Sequence, residues 1–360
     1  MINYSKLDKD LFKGKCKNNK YLPSIIPSKR RIIAIGDLHG DFDVTIRALK
    51  LGKVIDDNNN WNGKDTYVVQ VGDQLDNFRP TPIPYKINDQ EQSNTNENFD
   101  FDKVQDIKVF NYLTKLNEQA IKNSGAVISL LGNHEILNIL GNFTYVSKDD
   151  VKNFKNYKDP LNPTKIFNSG EEARKHAFKL GNEYSKIMAC TRLPAVIIGS
   201  FIFAHAGFIY ESIDQLNIKI PNDLNRINYF FKKWLLGLPD KNYVVDIINN
   251  SNKSMFWNRI LGSIPPNTNG KDPKCIKHIS KVLEIFKVNA MIIGHTPQYF
   301  ANKNGINSTC DKQLFRIDFG GSFSFDKFDD NYKLKGEKSK QRKVQILEIL
   351  NDSEVKILSE

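Results

Sequence analysis

Three observations predict an α/β fold for this chain of 360 residues. Short apolar runs rich in β-branched residues at 32–35, 67–71, 126–131, 201–204 and 290–293 read as strands buried on both faces. Each run ends at, or just before, a short segment that holds a glycine. Stretches of helical spacing separate the early runs, whereas later runs follow one another directly, so parallel and antiparallel pairing should mix. With 40% hydrophobic and 11% aromatic residues, the chain can bury a sizeable core.

Residues 1–30 are charged and broken by Pro23 and Pro27, and are expected as an irregular N-terminal arm over the core. Residues 31–360 are expected as a single domain. Strand 32–35 is followed by helical spacing at 42–51, and strand 67–71 closes on Gly72-Asp73. Residues 77–102 contain Pro80, Pro82 and Pro84 and a tract of Asn, Gln, Asp and Glu, too polar to order itself, and read as a long loop insertion. Apolar residues at 104, 107, 109, 110, 113 and 116 predict a helix over 104–122, before strand 126–131.

A second insertion, helical and irregular, is expected at about 142–190. Pro160 and Pro163 break its first part, and the start signal Ser169-Gly170-Glu171-Glu172 opens a helix expected over 169–188. Residues 194–199 and 201–204 read as strands joined at Gly199-Ser200. Helices follow at 221–236 and 273–287, and strands at 290–293, 314–319 and 344–349.

There are 52 Lys+Arg against 41 Asp+Glu, a net charge of +11. The lysines keep company with Asn and Ile and gather on no recognisable element, which argues against a nucleic-acid partner. Cys16, Cys190, Cys275 and Cys310 form no CxxC spacing and are expected as free thiols of a reducing compartment. The lysine-rich first residues lack the apolar centre of a signal peptide, and no apolar run approaches the ~18–20 residues of a membrane helix. A soluble, cytoplasmic protein without a membrane partner is therefore expected.

The chemistry concentrates where the strands end. Gly36-Asp37-Leu38-His39-Gly40, Gly72-Asp73-Gln74-Leu75-Asp76, Gly132-Asn133-His134-Glu135, His205-Ala206-Gly207 and Gly294-His295-Thr296 each set a metal-capable side chain beside a small residue. Open α/β sheets bind ligands at that edge. Of six histidines, four (His39, His134, His205 and His295) fall in these segments. His176 and His278 lie in charged helical stretches and are expected at the surface. Mixed carboxylate, amide and imidazole donors suit manganese, iron or zinc.

GDLHG, GDQLD, GNHE, HAG and GHT, in this order between about Arg31 and Asp318, resemble the signature of the calcineurin-like metallophosphoesterases. Within them the chain is similar to the phosphoprotein phosphatases, above all their bacterial-type, Shewanella-like members. The resemblance implies a four-layer α-β-β-α sandwich of two mixed β-sheets. It also implies two metal ions, Mn2+ or Fe with Zn2+, about 3.5–4 Å apart. Asp37, His39 and Asp73 would hold one ion, and Asp73, Asn133, His205 and His295 the other. Asp73 fits the bridging position because it has two oxygens. A metal-bridging hydroxide would attack phosphorus in line, with His134 as general acid and Asp76 behind it. Asn133 would also face the substrate. Glu135 resembles the family's Glu at this position but could equally serve the helix N-terminal dipole, and is left outside the site.

Two departures bear on the substrate. The phosphatase branch follows its second motif with an arginine that grips phosphate, whereas here Asp76 is followed by Asn77. Asn77 has neither charge nor bidentate fork. Arg79, two residues on, or Arg259 in Phe256-Trp257-Asn258-Arg259, which resembles the Trp-x-Arg segment of the Shewanella-like branch, would take its place. Arg192 is read as structural, and Asp318-Phe319-Gly320-Gly321-Ser322 as a turn shaping the rim. His205-Ala206-Gly207 replaces the His-Gly-Gly of most eukaryotic members and resembles diadenosine tetraphosphate hydrolases as well. The expected function is a dinuclear-metal-dependent phosphomonoesterase acting on phosphoproteins. The alternatives are hydrolysis of dinucleoside polyphosphates or other small phosphate compounds, and a catalytically silent binding module. Phosphoserine/threonine versus phosphotyrosine preference and oligomeric state stay open.

Overall fold

The computed structural model describes residues 2–17, 19–80, 106–239, 242–249, 252–302, 305–326 and 342–360, and its strands form two six-stranded mixed sheets. In chain order the strands are β1 (Ile25–Ile26), β2 (Arg31–Ile35), β3 (Tyr67–Gln70), β4 (Ala126–Leu130), β5 (Arg192–Leu193), β6 (Ala195–Ile198), β7 (Phe201–Ala204), β8 (Ala290–Ile293), β9 (Asn307–Thr309), β10 (Leu314–Arg316), β11 (Gln345–Leu350) and β12 (Glu354–Ser359). One sheet has the order β12-β11-β2-β3-β4-β5, the other β1-β6-β7-β8-β10-β9. In the first, β2 to β5 run parallel, with Ile35 beside Gln70 and Gln70 beside Ser129. In the second, β7, β8 and β10 run parallel, with Ala204 beside Ile293.

Alternation along the strands sorts side chains between layers. Val196, Ile198, Phe201 and Phe203 join Ile32–Ile35, Val68 and Val69 in one core. Ala195, Ile197, Ile202 and Ala204 point the other way, into a core shared with helices. Fully burying a side chain such as Phe203 contributes ~1.5–3 kcal/mol, so the layered packing is strongly specified. The helices named below are α1 (Tyr4–Lys15), α2 (Phe42–Leu51), α3 (Asp106–Lys122), α4 (Asn133–Ile139), α5 (Lys148–Asn153), α6 (Gly170–Phe178), α7 (Glu183–Thr191), α8 (Tyr210–Gln215) and α9 (Leu224–Leu235). The α/β architecture with two mixed sheets and helices outside is the one the sequence predicts.

Several expectations are corrected. The N-terminal stretch is not irregular: Asn3 caps α1 by accepting from the Lys6 N–H at 3.0 Å. The helix buries Phe12 and Asp8. Its lysines hid that face, because Asp8 is buried against Lys232 of α9 (2.5 Å) and Tyr21 (2.8 Å) rather than solvated. The helix expected over 169–188 breaks in two, with Gly181 at φ +80° between α6 and α7. His278 is buried, with Nδ1 3.3 Å from Glu211. The loop expected at 77–102 lies, from residue 81 on, outside the described residues.

The cysteines are also corrected. Cys16 pairs with Cys190 and Cys275 with Cys310, across separations of 174 and 35 residues, so no thiol is free. Pairing over such spans leaves no local spacing to read, and the argument for a reducing compartment falls with it. No helix among the described residues is long and apolar enough to cross a membrane. Loop-closure entropy gives the two bridges an upper contribution of ~4–5 kcal/mol each. Reduction is therefore expected to lower the thermal midpoint by roughly 5 °C or more, and thiol titration of the denatured, unreduced protein should find none. An unchanged midpoint, or four titratable thiols, refutes the pairing.

Candidate metal centre

The ends of β2, β3, β4, β7 and β8 deliver the five segments to one edge of the two sheets. Main-chain bonds lock them together: the Leu38 and His39 N–H groups donate to the Asp73 carbonyl at 3.0 and 2.9 Å, and Gly294 N–H to the His205 carbonyl at 2.8 Å. Glycine is needed where backbones nearly touch. A Cβ at Gly132 would overlap the Asp73 carboxylate, and one at Gly294 the Asp37 carboxylate. His39, Asp73, Asp76 and His295 hold left-handed φ values of 45°, 56°, 68° and 69°. Such backbone costs energy for residues other than glycine and collects at functional sites.

Asp73 stands at the centre. Its Oδ2 lies 3.3 Å from His205 Nε2, 3.8 Å from His39 Nε2 and 3.8 Å from His134 Nε2, while its Oδ1 accepts the His134 N–H at 3.0 Å. Asn133 Oδ1 is 2.9 Å and His295 Nδ1 3.2 Å from the same His205 nitrogen. Asp37 Oδ2 is 3.9 Å from His39 Nε2, and both its oxygens accept from the His295 N–H. Two groups have donor atoms within 4.8 Å of one another: His39, Asp73 and His134, and Asp73, His205 and His295. His134 thus comes closer to the first group than the sequence suggests.

The outward ring nitrogens distinguish the histidines. His39 Nδ1 faces the Leu75 carbonyl (3.3 Å), His205 Nδ1 the Val71 carbonyl (2.9 Å) and His295 Nε2 the Trp257 carbonyl (3.1 Å). A carbonyl only accepts, so each outward nitrogen carries a hydrogen and the inward nitrogen of each ring is the one turned to an ion. Burial opposes a charged His205, but Asp73 outweighs it and raises the pKa, so a cation there would displace a proton. His134 differs: its Nδ1 meets the Asp76 carboxylate at 2.7 Å, and Asp76 Oδ1 accepts from Asn138 at 2.7 Å.

The charges are crowded and dry. Burial, then the neighbouring Asp318 and Asp73, push the Asp37 carboxyl well above its ordinary range. Burial also raises Asp73, but His205, His134 and His39 together outweigh it and hold that carboxyl well below. Burial depresses His39 and His295 well below the usual imidazole value, with the Arg79 charge second for His39 and that of His205 second for His295. Buried carboxylates and inward lone pairs of this kind fit divalent cations, which would relieve the repulsion.

The arginines occupy different places. Arg79 is buried, donates to the Asp76 and Phe78 carbonyls at 3.0 and 2.8 Å, and lies over Phe325. Arg259 is exposed, donates to the His295 carbonyl at 3.0 Å and lines a cavity of about 520 Å³. Asn77 is turned from the centre: its amide donates to Asp150 and its carbonyl accepts from the Ser147 N–H. Arg192 braces Gln74, the Phe110 carbonyl and Thr114.

Two residues are underestimated by sequence reasoning. Asp318 is buried behind Asp37 with an unpartnered Oδ2, and burial pushes it up to about 6. Glu135 accepts four main-chain N–H groups, from Gly132, Asp73, Gln74 and Leu75. Its place beside His134 in the third segment was the available signal.

The calcineurin-like phosphoesterase family profile matches residues 30–299. An uncharacterized protein of Acanthamoeba polyphaga mimivirus is 38% identical over 260 residues, 69% of this chain and 98% of that protein. Shewanella-like protein phosphatase 2 of Arabidopsis thaliana is 27% identical, covering 84% of this chain and 74% of its own length. Shewanella-like protein phosphatase 1 of Plasmodium berghei is 28% identical, with 89% and 73% covered. Among solved structures, the cold-active protein-tyrosine phosphatase of a psychrophilic Shewanella superposes with a TM-score of 0.58 at 18% identity, over 94% of this chain and 83% of that one. Strand-end motifs, paired sheets and these matches agree, and the chain belongs to the calcineurin-like phosphoesterase family.

Proposed function

We propose that this phosphoesterase is a dinuclear-metal-dependent phosphomonoesterase acting on phosphoproteins. Asp37, His39 and Asp73 would hold one ion, and Asp73, Asn133, His205 and His295 the second. The observation that carries this reading is the set of three imidazoles whose outward N–H groups are taken by main-chain carbonyls, leaving three inward ring nitrogens turned to Asp73 and its neighbours for an ion. Manganese, or iron with zinc, suits that donor set. When bound, such ions polarise the phosphoryl oxygens and lower the pKa of water.

The side chains do the rest. His134 Nδ1–H donates to Asp76, which fixes the ring so that Nε2 faces Asp73. As the oxygen of a water that has released one proton to solvent joins phosphorus and the P–O bond to the leaving group breaks, His134 Nε2 gives its proton to the leaving oxygen. A positioned acid contributes roughly 10²–10⁴ in rate. Arg79 brings positive charge beside His39 from a buried position, and Arg259 brings it from the exposed rim beside His295. Either guanidinium serves the phosphate role that Asn77, engaged with Asp150, leaves open.

A protein substrate is favoured by the Shewanella-like protein phosphatases among the relatives. The test is manganese-loaded protein assayed on phosphoserine, phosphothreonine and phosphotyrosine peptides against diadenosine tetraphosphate. Phosphopeptide hydrolysis is expected, and His134→Asn should lower kcat by about 10²–10³ while KM stays within a few-fold. Hydrolysis of the dinucleotide alone, or a His134→Asn variant with full activity, overturns the reading.

A further inference from the structure

Behind Asp76 lies a second layer of buried polar groups: Asp106 from α3, Asn138 from α4, and Arg174, which the expected insertion at 142–190 brings there. Arg174 of α6 is fully buried and donates from Nη2 and Nη1 to the two oxygens of Asp106, at 2.6 and 3.3 Å. Its Nε donates to Asn138 Oδ1 at 2.9 Å. The rings of Phe178, Phe154 and Phe143 stand 5.0, 5.1 and 5.7 Å from the guanidinium and keep water from it. Asp106 Oδ2 also accepts the Asp76 N–H at 3.2 Å.

The polarity of this chain of bonds is forced. A guanidinium only donates, so Arg174 Nε–H fixes Asn138 with its carbonyl toward the arginine. The Asn138 amide must then point away, and it donates to Asp76 Oδ1 at 2.7 Å. That leaves Asp76 Oδ2 for the His134 Nδ1–H. Asn138 also donates to the His134 carbonyl, since the two residues lie one turn apart on α4. A buried ion pair is weak evidence for stability, because apolar residues of similar volume often replace one at little cost. The pair's orientation toward the dyad therefore needs another reason.

We infer that Arg174 and Asn138 are positioning residues for proton donation: they lock Asp76, and through it His134, in the geometry that delivers the Nε2 proton to the leaving oxygen. The inference rests on the reading of His134 as proton donor. On this account the insertion is a working part of the site and not a decoration on it. Burial alone would lower the Arg174 pKa, yet the adjacent Asp106 charge outweighs it, so the guanidinium stays charged.

A proton donor matters most when the leaving group is a poor one. The test compares kcat on phenyl phosphate with kcat on 2,4-dinitrophenyl phosphate, using manganese-loaded full-length protein. For Arg174→Met, the ratio of the dinitrophenyl to the phenyl rate should rise at least tenfold, as it should for His134→Asn. Arg174→Met leaves Asp106 buried and unpaired, which can prevent folding, so Asn138→Ala is the second variant. It keeps the ion pair, removes the amide, and should raise the ratio in the same way. A merely structural role lowers both rates together. Ratios within threefold of the parent in the folded variants, with His134→Asn still raising it, overturn this inference alone. A His134→Asn ratio equal to the parent's overturns the proton-donor reading and this inference with it.

Discussion

Asp73→Asn is expected to lower kcat on an aryl phosphate by on the order of 10⁴ and to strip the protein of bound metal. Among the described residues, Asp73 Oδ2 is the one carboxylate oxygen within 4 Å of His39, His134 and His205, and Asp73 belongs to both groups whose donor atoms could hold an ion. Its carboxyl lies well below the ordinary range because His205 and its neighbours outweigh burial, so it is charged throughout the working pH range. Asparagine keeps the volume and tolerates the left-handed backbone at φ 56°. What it loses is one anionic oxygen. If that forfeits about 5 kcal/mol of transition-state stabilisation, the rate falls roughly 10⁴-fold. Metal analysis of wild type and variant, beside kcat on p-nitrophenyl phosphate, checks both halves. A variant with two equivalents of metal and activity within tenfold of wild type would show that Asp73 does not bridge.

Glu135→Ala should destabilise the fold more than any other single change near the centre. Its carboxylate takes the N–H groups of Gly132 (2.7 Å), Gln74 (2.8 Å), Asp73 (2.9 Å) and Leu75 (3.1 Å). All of these lie in a buried corner between β3 and β4. Each donor left without a partner costs about 1–3 kcal/mol. Water entering the space vacated would recover part of this, so a net loss on the order of 4–6 kcal/mol is expected. The thermal midpoint should fall by roughly 5–8 °C. Glu135→Gln keeps the shape but presents an N–H to one pair of donors, and should fall between. Calorimetry of metal-free protein isolates the fold from the ions. A Glu135→Ala midpoint within about 2 °C of wild type would contradict the clamp.

The part of the site legible in the sequence is the part written in single strands. A buried run that stops beside a glycine points its next polar residue at the sheet edge, so Asp37, Asp73, Asn133, His205 and His295 could be gathered before any coordinates. The runs also predicted mixed strand pairing, whereas the division into two sheets came from the resemblance of the five segments to the family. Pairings between distant segments were not. Cys16–Cys190, Asp8–Lys232 and the Glu135 clamp each join groups whose local sequence looks ordinary. Charged residues such as Asp8 and Arg174 read as solvated when their neighbours are lysine and glutamate, yet both are buried. Periodicity records which face of an element is apolar, not which lone carboxylate on it has found a cation. Helix α1 went unseen because its buried face holds one aromatic ring and one acid.

The left-handed turns at His39, Asp73, Asp76 and His295 narrow the substitutions these positions will bear. Asn, Asp and His adopt that backbone more readily than other side-chain-bearing residues, and two of the three are strong cation donors. Glycine would relax the turn and contribute nothing to an ion, whereas a β-branched replacement would fail on both counts. Attempts to retune this centre for another metal by random mutagenesis should therefore yield only a handful of folded alternatives here, and adaptation would have to come from the surrounding carbonyls and carboxylates instead.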